Sequence, residues 1–336
     1  MFRASPWRWS RDEPSPIRGR ALNDPHPYDA LTPDRVLAAV DAAGHASDGR
    51  LLALNSYENR VYQVGLEGGR FVVVKFYRPG RWTDAAIAEE HAYTAELEAA
   101  ELPVVAPLAH EGETLLEHAG FRYAIFPRRG GRAPELDDPE AAAWMGRTLG
   151  RMHAIGARAP FVHRGGIDLE SHVRAPMRQV LEGPLLPDAC VARYRAAIEA
   201  ALPPLASAWA QAQPLQRLRL HGDCHAGNVL WTETGPLLVD LDDARSGPAI
   251  QDIWMLLTGA GRQRDALLEG YEQFRAFDHG ELALIEPLRL MRQIHYAGWL
   301  SSRWEDPAFP LAFPWAAEAR WWDTHINDIR EGAEVL

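Results

Sequence analysis

The stretch RLRLHGDCHAGNVLWTETGPLLVDLDDARSGP, residues 217–248, restricts this chain more than any other. Asp223 is followed five positions on by Asn228, and then, after a turn and an apolar run, by Asp240. Leu218 and Leu220 lead into the polar centre, "NVLW" leaves it, and "PLLVDL" reads as a buried strand bounded by Thr234-Gly235-Pro236. The pattern predicts strand, polar loop, short strand, turn and short strand, with acids in the loop and at the end of the last strand. Such an arrangement suits a magnesium-bound phosphate. A hard cation takes oxygen ligands, and one amide with one carboxylate leaves its other positions to phosphate and water. A further carboxylate, Asp223, is then free to take the proton of an attacking hydroxyl.

Plain turn chemistry also puts acids into a glycine-containing loop, but it does not require this spacing. A metallophosphoesterase is the rival, because Gly222-Asp223-Cys224-His225 spells GDxH and Asp24-Pro25-His26 spells DxH. Those enzymes need an Asn-His pair and further histidines downstream. Here Val229 follows Asn228, and no histidine occurs from Val229 to Arg264.

HxDxxxxN followed by a strand ending in Asp resembles the catalytic-loop and metal-loop signature of protein-kinase-like phosphotransferases. His221-Gly222-Asp223 with Asn228 resembles the version found in aminoglycoside phosphotransferases, choline kinases and their relatives. The longer string HGDCHAGN…VDLDDARSGPAIQDIWMLL is similar to bacterial Ser/Thr protein kinases of this fold. LNSYENRVYQV in the amino-terminal part extends the likeness, which covers most of residues 30–330. The resemblance implies an α+β, two-lobed protein-kinase-like fold. Residues 28–127 would form a small antiparallel β-sheet lobe with one key helix, and residues 128–336 a larger, mainly helical lobe carrying the catalytic and metal loops. It also implies ATP- and magnesium-dependent transfer of the γ-phosphate to a hydroxyl. Asp223 is then the catalytic base, and Asn228 and Asp240 hold Mg2+. Ser56 and its neighbours, together with Lys75, hold the nucleotide phosphates, and Glu90 pairs with Lys75. The loop Asn55–Asn59 lacks the glycines of the protein-kinase phosphate loop, which leaves hydroxyl, amide and backbone N–H donors for that work.

Residues 1–27, rich in Pro, Arg and Ser without periodicity, read as a flexible extension. Thr32-Pro33-Asp34 starts a helix that stops near Gly44. Leu51–Leu54, Val61–Val64 and Phe71–Phe76 read as antiparallel strands, with Gly68-Gly69 as a hairpin turn. Lys75 lies in an otherwise apolar strand, where a lysine needs a partner. "TDAAIAEEHAYTAELEAAEL" is a helix with Ile87, Tyr93 and Leu97 on its apolar stripe; Glu89 and Glu90 both remain open as the partner of Lys75. "FRYAIF" breaks at Pro127 and Gly130-Gly131, where a hinge is expected, with the backbone around Phe126–Arg129 facing the adenine. A helix from Asp138 to Gly156 carries Trp144, Leu149, Met152 and Ile155 on its apolar side, with His153 as a structural histidine. Residues 160–187 read as irregular, and a helix over Ala189–Ala201 is expected to stop at Pro203-Pro204. Asp252 is an acid among apolar neighbours, assigned to bracing the catalytic loop. Asp242 and Asp243 either tune the metal or cap the next turn, with the cap favoured. Cys224 reads as a packed, inert thiol, with a redox-sensitive thiol beside His225 as the alternative.

A net charge of −11 argues against a general binder of nucleic acid or anionic membrane. Two cysteines, no apolar leader and no membrane-length apolar run predict a cytoplasmic protein. A monomer is expected. The expected partners are ATP and a protein Ser/Thr acceptor. The DFG and APE motifs of protein kinases are missing, with Asp240-Leu241-Asp242 in place of the first. That keeps a small amino alcohol, sugar or aminoglycoside acceptor open, and a nucleotide-binding scaffold is the outlying alternative.

Overall fold

A computed structural model of the chain describes residues 28–259 and 261–336. The flexible extension expected over residues 1–27 lies outside the described residues. In chain order the elements begin with α1 (Pro33–Ala42), β1 (Ser47–Ala53), β2 (Arg60–Leu66), β3 (Phe71–Phe76), α2 (Asp84–Ala99), β4 (Leu116–His118), β5 (Phe121–Pro127) and α3 (Pro139–Gly156). They continue with α4 (Ala175–Glu182), α5 (Asp188–Gln211), β6 (Leu218–Arg219), β7 (Val229–Thr232), β8 (Gly235–Leu238), β9 (Ser246–Gly247) and α6 (Ile250–Ile253). Helices α7 (Gly261–Glu272), α8 (Ile285–Arg303), α9 (Ala308–Ala312) and α10 (Ala319–Glu334) complete the chain. The α+β reading holds. The described residues divide into two compact units, one of residues 28–167 with Leu215–Glu281, the other of Asp168–Pro214 with Leu282–Leu336.

In the first unit, β1-β2-β3-β5-β4 form one antiparallel sheet. Strand periodicity sorts its side chains. Val72, Val74 and Phe76 of β3 join Val36, Ala39 and Val40 of α1 in one core, while Ala124 of β5 packs with Ile87 of α2 in another. Lys75 pairs across the ladder with Ala124, so it stands on the α2 side of the sheet. Thr83 caps α2 by accepting from the Ala86 N–H, and the expected stripe Ile87, Tyr93 and Leu97 is fully buried. Helices α3 and α7 meet backbone to backbone. A Cβ at Gly146 of α3 would stand 1.9 Å from the Leu267 carbonyl oxygen, so nothing larger fits there.

Three expectations change. Residues 160–187 are not irregular throughout: a π-helical turn, Glu170–Arg174, leads into α4, whose Pro176 sits in the first turn where its missing N–H costs no bond and whose Val180 is buried. Trp144 stays partly exposed on α3, packing its ring over Gly235 and edge-on to Trp231 instead of joining Leu149 and Met152 inside. Helix α5 does not stop at its prolines but runs through Pro203 and Pro204 to Gln211. Pro203 is exposed and Pro204 half-buried, and the carbonyls they leave without donors belong to the exposed Glu199 and Ala200, where water serves them. Ala201 and Leu205 keep the buried stripe continuous across the interruption.

In the second unit α5 packs with α10 and α4 with α8. Trp322 is fully buried there, edge-on to Tyr194, whereas Trp299, Trp304, Trp315 and Trp321 are half-buried.

Back in the first unit, Glu281 accepts from the Ile250 N–H at 2.9 Å at the start of α6. Burial pushes its carboxyl from an ordinary 4.5 up to about 7. A carboxyl raised in the folded state favours folding fully below its unfolded value, and that contribution is lost as pH rises through about 7. Glu281→Gln, which keeps the acceptor, is expected to flatten the stability loss between pH 5 and 8 by on the order of 1–2 kcal/mol. Parallel denaturant titrations at the two pH values measure this; equal pH dependence in both proteins counts against it.

Candidate active site

Strand β6 pairs with β9, and the segment between β6 and β7 forms the polar loop expected from the sequence. Asp252 of α6 braces it. Its fully buried carboxylate accepts from the His221 N–H at 2.7 Å and the Gly222 N–H at 2.9 Å. The same group meets Nε2 of the equally buried His153 at 3.1 Å, and His153 Nδ1 lies 3.0 Å from the Tyr271 hydroxyl. His221 donates through Nε2 to the Val239 carbonyl at 3.0 Å, so its imidazole ties the polar loop to the strand that leads into Asp240. Gly222 is at φ +86°, and a Cβ there would stand 2.0 Å from the Asp243 carbonyl oxygen. The H-G-D glycine is therefore required by both the left-handed turn and the contact between the two loops.

Past that turn, Asp223 is half-buried, with Oδ2 at 3.5 Å from His225 Nε2. Asn228 donates through Nδ2 to the Asp223 carbonyl at 3.0 Å, which leaves its amide oxygen as an acceptor. The Val239 N–H donates to the Asn228 carbonyl at 3.0 Å, holding β8 against the loop. Asp240 follows at φ 62° and ψ 64°, a left-handed conformation that costs a non-glycine residue strain. Its side chain is 52% exposed and Oδ1 lies 2.6 Å from Lys75 Nζ. Lys75 itself is buried. Burial alone would depress its ammonium, yet Asp240, Asp242 and Glu90 hold it above the usual lysine range.

Glu89 and Glu90 separate cleanly. Glu89 accepts from the Val162, His163 and Arg164 N–H groups at 2.6, 2.8 and 3.0 Å, fastening α2 to that loop. Glu90 points inward, is buried, and accepts from the Thr94 hydroxyl at 3.2 Å. Burial lifts its carboxyl to about 7, against the pull of Lys75 and Arg164. Among the described residues Lys75 makes its ion pair with Asp240, and Glu90 stands beyond ion-pair distance from it. Ser56 donates its hydroxyl to the Asn59 carbonyl at 3.2 Å, closing the Asn55–Asn59 loop on itself. Cys224 is fully buried, and burial drives its thiol well above the ordinary range, so it packs and does not react.

Sequence reasoning passed over Asn59, Arg78, Arg81 and Arg164, and misjudged Asp242. Asp242 caps no turn: it is buried, bonded to Asn59 and ion-paired with Arg81. Arg164 stacks over Trp82 at 4.4 Å and donates to the carbonyls of Ala86, Asp242 and Ala244. The one hint in the sequence was a polar side chain, Asn59, directly ahead of a strand with a buried face.

Among the described residues no group of three or more His, Cys, Asp or Glu is arranged to hold a metal. The Asp240 carboxylate and the Asn228 amide oxygen are hard-oxygen groups of the kind that magnesium takes together with phosphate and water. No described helix is long and apolar enough to cross a membrane.

Comparison with known proteins agrees with this geometry. Residues 50–285 match the model of the phosphotransferase enzyme family. The chain is 45% identical over 318 residues to stress response kinase A of Escherichia coli O157:H7, covering 94% of this chain and 96% of that protein. It is 45% identical over 313 residues to the serine/threonine protein kinase RdoA of Salmonella typhimurium, covering 92% and 94%. Among solved structures it resembles the amicoumacin kinase hAmiN, in complex with AMP-PNP, Ca2+ and Ami, with TM-score 0.68 at 18% identity, covering 90% and 93% of the two chains. A microcompartment-associated aminopropanol kinase follows with TM-score 0.64 at 18% identity, covering 89% and 95%. The kinase-like fold and the phosphotransferase chemistry read from the loop are thereby carried by relatives over nearly the whole length, and the chain belongs to the phosphotransferase enzyme family.

Proposed function

We propose that this chain is an ATP- and magnesium-dependent Ser/Thr protein kinase. One observation carries the reading: Lys75, Asp223, Asn228 and Asp240 belong to one compact unit, with the catalytic and metal loops locked together and Asp240 ion-paired to Lys75. Lys75 and the Ser56 loop hold the nucleotide phosphates. Asn228 and Asp240 hold magnesium, which when bound neutralises charge on the phosphates. Asp223 orients the acceptor hydroxyl and takes its proton as the γ-phosphate transfers. Asp252, His153 and His221 keep Asp223 in place. Glu90 supports Lys75 from α2 through its field, and the backbone around Phe126–Arg129 serves as the hinge that faces the adenine. The protein acceptor is supported by likeness to one kinase named for it over most of the chain.

One observation favours a second reading. Between Asp240 and α6 lie only a short turn and the two residues of β9, which leaves no long segment on which a peptide could dock. A small-molecule alcohol is the acceptor in that reading. Incubation with labelled ATP and magnesium, offering protein mixtures on one side and a panel of amino alcohols, sugars and aminoglycosides on the other, separates the two. Label on protein Ser/Thr is the expected result, label only on a small molecule replaces the acceptor, and nucleotide binding without any transfer removes the enzyme reading.

A further inference from the structure

Asp242 lies two residues past Asp240 but has a different set of neighbours. Its Oδ2 accepts from Asn59 Nδ2 at 3.0 Å and meets the Arg81 guanidinium in an ion pair. Asn59 is buried too. Its side-chain oxygen accepts from the Arg78 N–H at 3.0 Å, and its carbonyl receives the Ser56 hydroxyl at 3.2 Å. Arg78 in turn donates to the Tyr57 and Glu58 carbonyls at 3.0 and 2.8 Å. The other arm of Arg81 reaches Asp243 Oδ1 at 2.8 Å. Arg164 donates to the carbonyls of Asp242 and Ala244 at 2.9 and 2.8 Å, and to that of Ala86 in α2 at 2.8 Å.

A buried carboxylate is retained only with partners, and removing one of them is strongly unfavourable. Here the partners come from the loop before β2, from the segment between β3 and α2, and by way of the backbone from the loop after α3. Asp242 commits its Oδ2 to Asn59 and Arg81, while its Oδ1 is buried without a hydrogen-bond partner among the described residues. Through Oδ2 it is connected to the loop that contains Ser56.

Building on the proposed function, we infer that Asp242 and Asn59 are positioning residues that tie the Asn55–Asn59 loop to the metal loop. Nucleotide phosphates held by the first loop are thereby kept in register with the cation held by the second. Neither residue touches the reacting atoms. Losing the link lets the phosphate loop drift while Asp223, Asn228 and Asp240 keep their own braces through Asp252 and His221. The defect belongs to nucleotide affinity and not to the transfer step.

The test is a double-mutant cycle of Asn59→Ala and Asp242→Asn on the full chain, reading KM for ATP, kcat and melting temperature. A hydrogen bond to a charged group sets the scale: each single variant is expected to raise KM for ATP about tenfold, with kcat within about threefold. The double variant is expected to match the worse single one, because both remove one link. A fall in melting temperature with unchanged KM means a merely structural contact and overturns the inference, as do two effects that multiply. If Asn59→Ala does not fold, Asn59→Ser takes its place with the same split expected. Asp240→Ala and Asp223→Asn run alongside: if these two keep wild-type activity the proposed site itself is wrong, whereas if they are inactive and the cycle is flat only the link is wrong.

Discussion

Asp223→Asn is expected to lose about 10²–10⁴-fold in kcat, the usual contribution of a positioned general base, while nucleotide–magnesium affinity stays within a few-fold. The reason lies in how the loop is built. The position of Asp223 is set by backbone contacts on either side: the His221 and Gly222 N–H groups held by Asp252, and the Asp223 carbonyl held by Asn228. None of these uses the Asp223 carboxylate, so an isosteric amide keeps these contacts and removes the ability to take a proton. Nucleotide binding by this variant, followed by fluorescence of a labelled ADP, is expected to be near normal. A loss of less than about tenfold in kcat would move the base to another residue. A large loss of nucleotide affinity would instead make Asp223 part of the phosphate and metal site.

The loop and its chemistry were legible in the sequence because their information is local. Asp223, Asn228 and Asp240 lie within eighteen residues, and each adjoining strand is marked by its own apolar run and turn residues. The α1 and α2 starts were equally plain, since Thr32 and Thr83 cap through side-chain contacts only three residues long. What stayed hidden is non-local. Asn59 and Asp242 are separated by 183 positions, and nothing in the spacing of either says that they bond. Glu89 and Glu90 are neighbours with the same chemistry, so only the helix register decides that one fastens a loop and the other faces Lys75. The end of α5 was misplaced for the opposite reason. Proline is a strong local signal against helix, and here an outward-facing pair is outweighed by the buried stripe on the other side.

Replacing Asp240 by Ala is expected to change the metal dependence of nucleotide binding as well as turnover. The carboxylate has two charged neighbours to consider. Toward a cation it is an oxygen ligand, so without it magnesium-dependent affinity for a labelled ADP is expected to fall by about 10–100-fold, the scale of removing one charged contact from such a site. Toward bare phosphates it is a like charge, so metal-free nucleotide binding is expected to hold or improve. Lys75 adds to this second effect. In the wild type its ammonium is ion-paired with Asp240 at 2.6 Å, and removing that partner leaves the buried amine free to answer the phosphates. The two arms therefore move in opposite directions, which a general loss of structure cannot imitate. Asn228→Ala, which removes a neutral ligand, is expected to show the same first effect at smaller size and none of the second. Titrating labelled ADP with and without magnesium against wild type and the two variants measures all of this. A magnesium dependence unchanged by Asp240→Ala would take Asp240 out of the metal site and leave the ion pair with Lys75 as its only role.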